Sequence, residues 1–248
     1  MKRCLILILF CAAPLFGFGQ SQPYRTNNAF DAAVSGASGQ FSGALSWVHM
    51  HGIGKGKKKL MLGYGVRLTS FVGANKYYST APSKLTSTVQ NLGTIFSETI
   101  DRNIDTISVA TSITNSLNAT INIQYTLSSR LDIGFNIDAI GFSFGPKKLY
   151  NVISSSFDAS QTPIGLASPT RFNLLLTSDN DIGSLNSELF VRYWASRTIG
   201  LRFGYTFLFS EYTTDRSLSF DNGRIMNDRY RYKAGMVMLG VTFQPFRQ

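Results

Sequence analysis

From Leu117 to Leu127 the chain alternates strictly between apolar and polar residues. Leu117, Ala119, Ile121, Ile123, Tyr125 and Leu127 are separated by Asn118, Thr120, Asn122, Gln124 and Thr126. A strand turns successive side chains to opposite faces, so this segment has one apolar face and one polar face. Its eleven residues match the roughly 9–11 that a tilted strand needs to cross a bilayer. Six further segments repeat the pattern, at 40–49, 60–72, 131–141, 185–194, 199–209 and 234–243. In 199–209, for instance, Ile199, Leu201, Phe203, Tyr205, Phe207 and Phe209 oppose Gly200, Arg202, Gly204 and Thr206.

The connections alternate in length. Short ones fall at 52–59, 128–130 and 195–198, and long ones at 73–116, 142–184 and 210–233. Bacterial membrane barrels have short periplasmic turns, long outer loops and an even number of strands. Seven segments therefore require an eighth, ascending strand before the first, and 24–34 followed by a Ser/Gly turn at 35–39 supplies it. The expected fold is all-β, an antiparallel up-and-down transmembrane β-barrel of eight strands with long outer loops. Ten is the alternative if a long loop hides a hairpin. Ile107, Val109 and Ile113 share parity with Leu117, so that strand is expected to extend above the membrane. Residues 216–220 and 224–226 around Asp221-Asn222-Gly223 read as a hairpin. Residues 86–100, with Leu85, Val89, Leu92 and Phe96 near helical spacing, read as a short helix.

The ends change the picture. Lys2 and Arg3 precede an apolar run from Leu5 to Phe16, then Gly17 and Gly19, then a polar stretch. This is the layout of a secretory signal peptide, so residues 1–20 are expected to be removed and 21–248 to form one barrel domain. Both cysteines, Cys4 and Cys11, lie in that leader, so no disulfide is expected. The formal charge is +10. Export removes nucleic acid as its partner and leaves the anionic membrane surface.

A soluble barrel would turn the same apolar face inward. Three features favour the membrane. Small residues (Gly63, Gly65, Gly134, Gly200, Gly204, Ser42) crowd the polar face, charges of both signs share it, and Trp47, Tyr64, Tyr125, Tyr193 and Phe243 sit where interfacial aromatic girdles belong.

With these features the chain resembles the small outer-membrane β-barrel superfamily, which includes the OmpA-type transmembrane domain and porin-like proteins. The resemblance spans about residues 24–246 and rests on pattern. Family members often end on an aromatic residue; here Phe243 and Phe246 are followed by Arg247 and Gln248, a departure from that assembly signal. The resemblance implies a monomer in the bacterial outer membrane. Its partners would be outer-membrane lipids, lipopolysaccharide included, and the assembly machinery, with no cofactor.

Candidate site residues fall in two groups. Arg67, Asp132, Asp138, Glu188, Arg192 and Arg202 lie on the polar faces and are expected to form a charge network in the lumen. Eight strands leave an interior just wide enough for side chains to fill, so a narrow or plugged lumen is expected. A channel for small solutes is the alternative. Arg229, Arg231 and Lys233, at the outer end of the last strand, are candidate contacts for lipopolysaccharide phosphates. Lys55, Lys57, Lys58 and Lys59 fill the first periplasmic turn. His49 and His51 share one face of a strand, a spacing open to a metal or a general base. Barrel lipases, palmitoyltransferases and aspartyl-histidyl proteases work with His at the outer rim, whereas both histidines here fall at the periplasmic one. No serine lies in a G-x-S-x-G context. A lipid-modifying enzyme is therefore the third reading; no catalytic residue and no metal is assigned, and the role expected is structural or surface-binding.

Overall fold

The computed structural model describes residues 26–54, 59–82, 85, 104–176, 180–220 and 223–245. Its strands are β1 (Thr26–Ala37), β2 (Gln40–Ile53), β3 (Leu60–Thr80), β4 (Thr106–Ser128), β5 (Leu131–Phe144), β6 (Lys148–Val152), β7 (Ile164–Pro169), β8 (Phe172–Leu174), β9 (Leu185–Trp194), β10 (Ile199–Phe220) and β11 (Ile225–Phe243). The leader at 1–20, the lysines at 55–58, the expected helix at 86–100, Asp221, Asn222 and Phe246 lie outside the described residues.

Eight strands close a ring in the order β1, β2, β3, β4, β5, β9, β10, β11 and back to β1, every pair antiparallel. Each alternating segment read from the sequence lies within one of them, and the weakly patterned eighth is β1. The ring is staggered. Following directly paired residues from Thr26 through His51, Leu62, Ile123, Phe135, Leu189, Tyr205 and Val237 returns to β1 at Gly36, ten residues on (36 − 26). With strands about 4.8 Å apart and about 3.3 Å per residue, that stagger tilts eight strands by about 40°.

Pleating then sorts the side chains. Val34, Leu45, Leu68, Ile121, Leu189, Phe203 and Leu239 point out and are 42–62% exposed, while Asp31, Arg67, Asn118, Asp138, Glu188 and Arg202 point in and are 0–5% exposed. Phe190 is a bulky ring set among the inward charges, with its ring centre 3.8 Å from the Arg202 guanidinium carbon. Its direct neighbours on both sides are glycines, Gly134 on β5 and Gly204 on β10. A Cβ at Gly134 would stand 2.3 Å from the Phe190 ring.

Above the rim with the long connections, a second ring forms. β3, β4, β10 and β11 continue upward, and β11 pairs directly with β3 (Tyr230↔Thr80) over the short β1–β2 hairpin. On the other side the β6–β7 hairpin joins β4 to β10. The closed order is β3, β4, β6, β7, β10, β11. The hairpin hidden in the 142–184 connection thus enters this upper ring, not the lower one. The expected 216–226 hairpin is the top of β10 and β11, paired through Leu218↔Asn227 and Phe220↔Ile225.

The upper ring is turned inside out relative to the lower. Tyr78, Ile107, Val109, Tyr150, Val152, Tyr212, Leu218, Phe220 and Tyr230 fill its interior. β4 extends upward as its parity suggested, but Ile107 and Val109 face inward, not outward with Leu117. On β3 and β4 the inward parity switches at Asn75, whose φ is 50°, while β10 and β11 keep theirs and simply change from polar to aromatic residues. The β3–β4 ladder passes over Asn75. Below it Thr69 and Phe71 face in; above it Tyr78 does. Asn is among the residues that tolerate this left-handed conformation. The consequence is a polar core below and an apolar core above, in one continuous wall.

Candidate functional site

Within the lower ring the inward charges interlock. Arg67 on β3 donates through Nε and Nη2 to Asp138 Oδ1 at 2.9 and 2.6 Å, and through Nη1 to Asn136 Oδ1 at 2.6 Å. Its Nη1 also lies 3.3 Å from Glu188 Oε1. Arg202 on β10 bridges Glu188 Oε2 at 2.6 Å and Asp31 Oδ2 at 3.2 Å, and Arg192 lies 3.8 Å from the same Asp31 oxygen. The remaining lone pairs are used too. Asp138 Oδ2 accepts from Asn118 Nδ2 at 2.7 Å and from the Asn186 amide at 2.8 Å. Asn136 donates to Glu188 at 3.0 Å, and Thr242 Oγ1 donates to Asp31.

The six lumen residues expected from alternation all face inward. Five belong to this network directly. Asp132 is bound on its own account, accepting Trp194 Nε1 at 2.5 Å, with Arg192 directly across the β5–β9 pair. Sequence reasoning missed Asp31, although it alternates with Phe30 and Ala32 in the strand assigned on weaker evidence. It also missed Asn118, Asn136 and Asn186, whose amides complete the carboxylate shells.

Toward the short-turn rim, Asn27, Gln124, Arg192 and Gln244 surround a space of about 20 Å³, enough for about one water. Toward the long-loop rim, Phe71, Leu208, Ala234 and Met236 pack across the interior. Above them the aromatic core of the upper ring begins.

The outward cations behave differently from expectation. Arg229 and Arg231 are on the outward face of β11, but both are taken up by Glu211 on β10. Arg229 Nε lies 2.7 Å from Glu211 Oε1, and Arg231 Nη2 2.9 Å from Oε2. Both also donate to the Asp181 carbonyl, because the 180–184 segment lies over this face. Glu211 and Arg231 are consequently buried. Lys233 stays exposed, its ammonium 5.6 Å from the Phe209 ring centre. Glu211 was legible only as a charge in a long connection, since the strand extension that places it beside Arg231 depends on non-local pairing.

The histidines lie outside the ring near the short-turn rim. His49 Nδ1 is 2.7 Å from Asn28 Oδ1. Its ring packs against His51 at 4.5 Å and Tyr64 at 5.4 Å between centres. They form part of an aromatic cluster with Trp47. Among the described residues no group of three or more His, Cys, Asp or Glu side chains is placed to hold a metal.

No family model matches the chain, and no curated protein matches it. Solved structures do. The Neisserial surface protein A is 10% identical, covers 91% of this chain and 99% of its own, and gives a TM-score of 0.34. The outer membrane protein Ail of Yersinia pestis is 8% identical over 89% of this chain and 99% of its own, with a TM-score of 0.36. A major outer membrane protein from Thermus thermophilus is 12% identical over 89% and 99%, also at 0.36. Over most of its length the chain is similar to solved outer-membrane β-barrel proteins.

Proposed function

We propose that this chain is an integral outer-membrane β-barrel with a sealed lumen, acting as a structural or surface-binding protein through its upper ring. The observation that carries the reading is the outward face. Every strand of the lower ring presents large apolar side chains to its surroundings, while ionised groups fill the inside. Soluble monomers rarely expose contiguous apolar patches beyond a few hundred Å². Hydrocarbon is the medium in which such a surface is stable, and a closed sheet satisfies its backbone polar groups there.

The sealed lumen rests on two layers: the arginine–carboxylate network below and the apolar core above. Among the described residues both layers place side chains across the interior, which supports a closed lumen. With the lumen closed and the histidines facing outward near the short-turn rim, binding at the outer surface is the role the geometry favours over solute passage or catalysis. Of the three cations at the outer end of β11, the exposed Lys233 is the candidate for a lipopolysaccharide phosphate. The test is conductance of the refolded protein in planar bilayers. The expected result is silence. Steady conductance that changes when Arg67, Arg192 and Arg202 are neutralised would replace this reading with a channel.

A further inference from the structure

Asp31, Asp138, Glu188 and Glu211 are buried carboxylates, and each meets a guanidinium. Asp105 has no such partner among the described residues. It stands just before β4 in the upper ring and is 1% exposed. Its backbone is fixed to Thr80 on β3. The Thr80 amide donates to the Asp105 carbonyl at 3.0 Å, and Thr80 Oγ1 accepts from the Asp105 amide at 3.0 Å.

The two oxygens of this carboxylate are treated unequally. Oδ1 accepts from Ser154 Oγ at 2.6 Å and from Ser156 Oγ, and the two hydroxyls are 2.9 Å apart. Oδ2 is buried and has no hydrogen-bond partner. The serines follow β6, where the Ile153 amide donates to the Thr106 carbonyl at 3.1 Å and lays this loop beside the start of β4. Phe157 then packs against Phe220, 5.7 Å between ring centres, and the Asp158 amide donates to the Ser219 carbonyl at 3.1 Å. The loop thus runs from β4 to β10 with Phe157 packed on the aromatic core.

A buried carboxylate is stable when a cation pairs with it or when it gives up its charge. A proton on Oδ2 would only exchange an unpaired charge for an unpaired donor, because no acceptor lies within hydrogen-bond reach. The oxygens themselves suit a hard cation. Each serine hydroxyl can donate to Oδ1 and keep lone pairs for a metal. With Oδ2 they make an all-oxygen set, which favours calcium over a transition metal. Ser154 and Ser156 are only half-buried, so water can complete the about six to eight ligands that calcium takes.

We infer that Asp105, Ser154 and Ser156 bind one calcium ion, which staples the 153–158 loop to β4 in the upper ring. One carboxylate with neutral partners makes the affinity weak, in the range of roughly 10⁻⁴–10⁻³ M typical of extracellular calcium modules. The inference goes beyond the membrane role proposed above and stands or falls separately from it.

The test uses the chain from residue 21 onward, refolded in detergent micelles, with folding of the lower ring scored separately by its urea midpoint. Terbium(III) is the probe, excited through tyrosine. Burial and the nearby Asp105 carboxylate both raise the Tyr230 phenol, so a sensitising ring stands close to the site. The wild type should give a saturable signal that calcium displaces at least about tenfold more readily than magnesium. Asp105→Asn should weaken binding at least about tenfold. Ser154→Ala with Ser156→Ala should weaken it by less, and Asp158→Asn in the same loop should leave it unchanged. In limited proteolysis, calcium should protect the 153–158 loop of the wild type and not that of Asp105→Asn. An equal calcium-displaceable signal in folded wild type and Asp105→Asn overturns the site. Should Asp105→Asn fail to fold, a signal unchanged by the serine pair overturns it instead. No signal from the folded wild type also overturns it, and means that a proton neutralises Asp105.

Discussion

Arg67 and Asp138 meet across the lumen, with Nη2 2.6 Å from Oδ1 and both side chains fully buried. One comes from β3 and the other from β5, so the pair ties strands that are not neighbours. Removing one partner of a buried pair costs about 3–5 kcal/mol, because the other charge is left without compensation. Asp138→Ala should therefore destabilise the folded barrel by about 3 kcal/mol, read as a lower urea midpoint in vesicles. Arg67→Met combined with Asp138→Leu should recover most of the loss. A midpoint unchanged by Asp138→Ala would mean that Glu188 alone compensates Arg67.

Asn75 carries the switch of inward parity on β3, where the β3–β4 ladder passes over it. Its φ of 50° suits Gly and Asn and disfavours β-branched residues. Asn75→Gly should be close to neutral, whereas Asn75→Val should cost about 1–2 kcal/mol and expose the upper ring to protease first. Equal stability of the two variants would separate the switch from this residue.

Glu211 holds two arginines and, through them, the 180–184 segment. Glu211→Gln should leave Arg229 and Arg231 without a carboxylate and loosen that segment, seen as faster cleavage near residue 180 by limited proteolysis. The lower network touches this segment where Asn118 Nδ2 donates to the Ser184 carbonyl at 3.2 Å, so the lower ring should be affected less than the segment itself. A fall in the urea midpoint of the lower ring as large as the loosening of the segment would contradict that order.

The upper core also predicts a pH dependence. Burial raises the phenols of Tyr78, Tyr212 and Tyr230 above the ordinary 10.0. A raised folded-state value means the stability these groups contribute is fully present below pH 10. It is lost as pH rises and the unfolded chain releases protons that the folded one holds. Alkaline titration should thus melt the upper ring before the lower one. Phenolate absorbance that reports these three tyrosines titrating as if exposed would contradict the packed core.

How much of this was legible follows from which signals are local. Period-2 alternation is local, so the segment around Ile121 declared both its faces, and the inward placement of Arg67, Asp138, Glu188 and Arg202 followed from parity alone. Parity fails where the backbone twists over. Ile107 and Val109 share their parity with Leu117, yet the turn at Asn75 on the partner strand accompanies a switch to the inside. The β6–β7 hairpin carries its weak pattern in five and six residues and owes its place to pairing with β4 and β10. Arg231 was assigned to lipid because its outward parity was visible and Glu211 opposite it was not.

The most direct test of the whole account is the side of the wall that meets hydrocarbon. Both cysteines lie in the first eleven residues, so in a chain produced from residue 21 onward single introduced cysteines can be spin-labelled cleanly. Labels at Ile121→Cys and Asn122→Cys, refolded in vesicles, sample the two faces of one strand. The account predicts that the label at 121 is relaxed by oxygen dissolved in the bilayer and is mobile, while the one at 122 is shielded and immobile. Relaxation of both labels by a water-soluble nickel complex, with none by lipid-dissolved oxygen at 121, would contradict it.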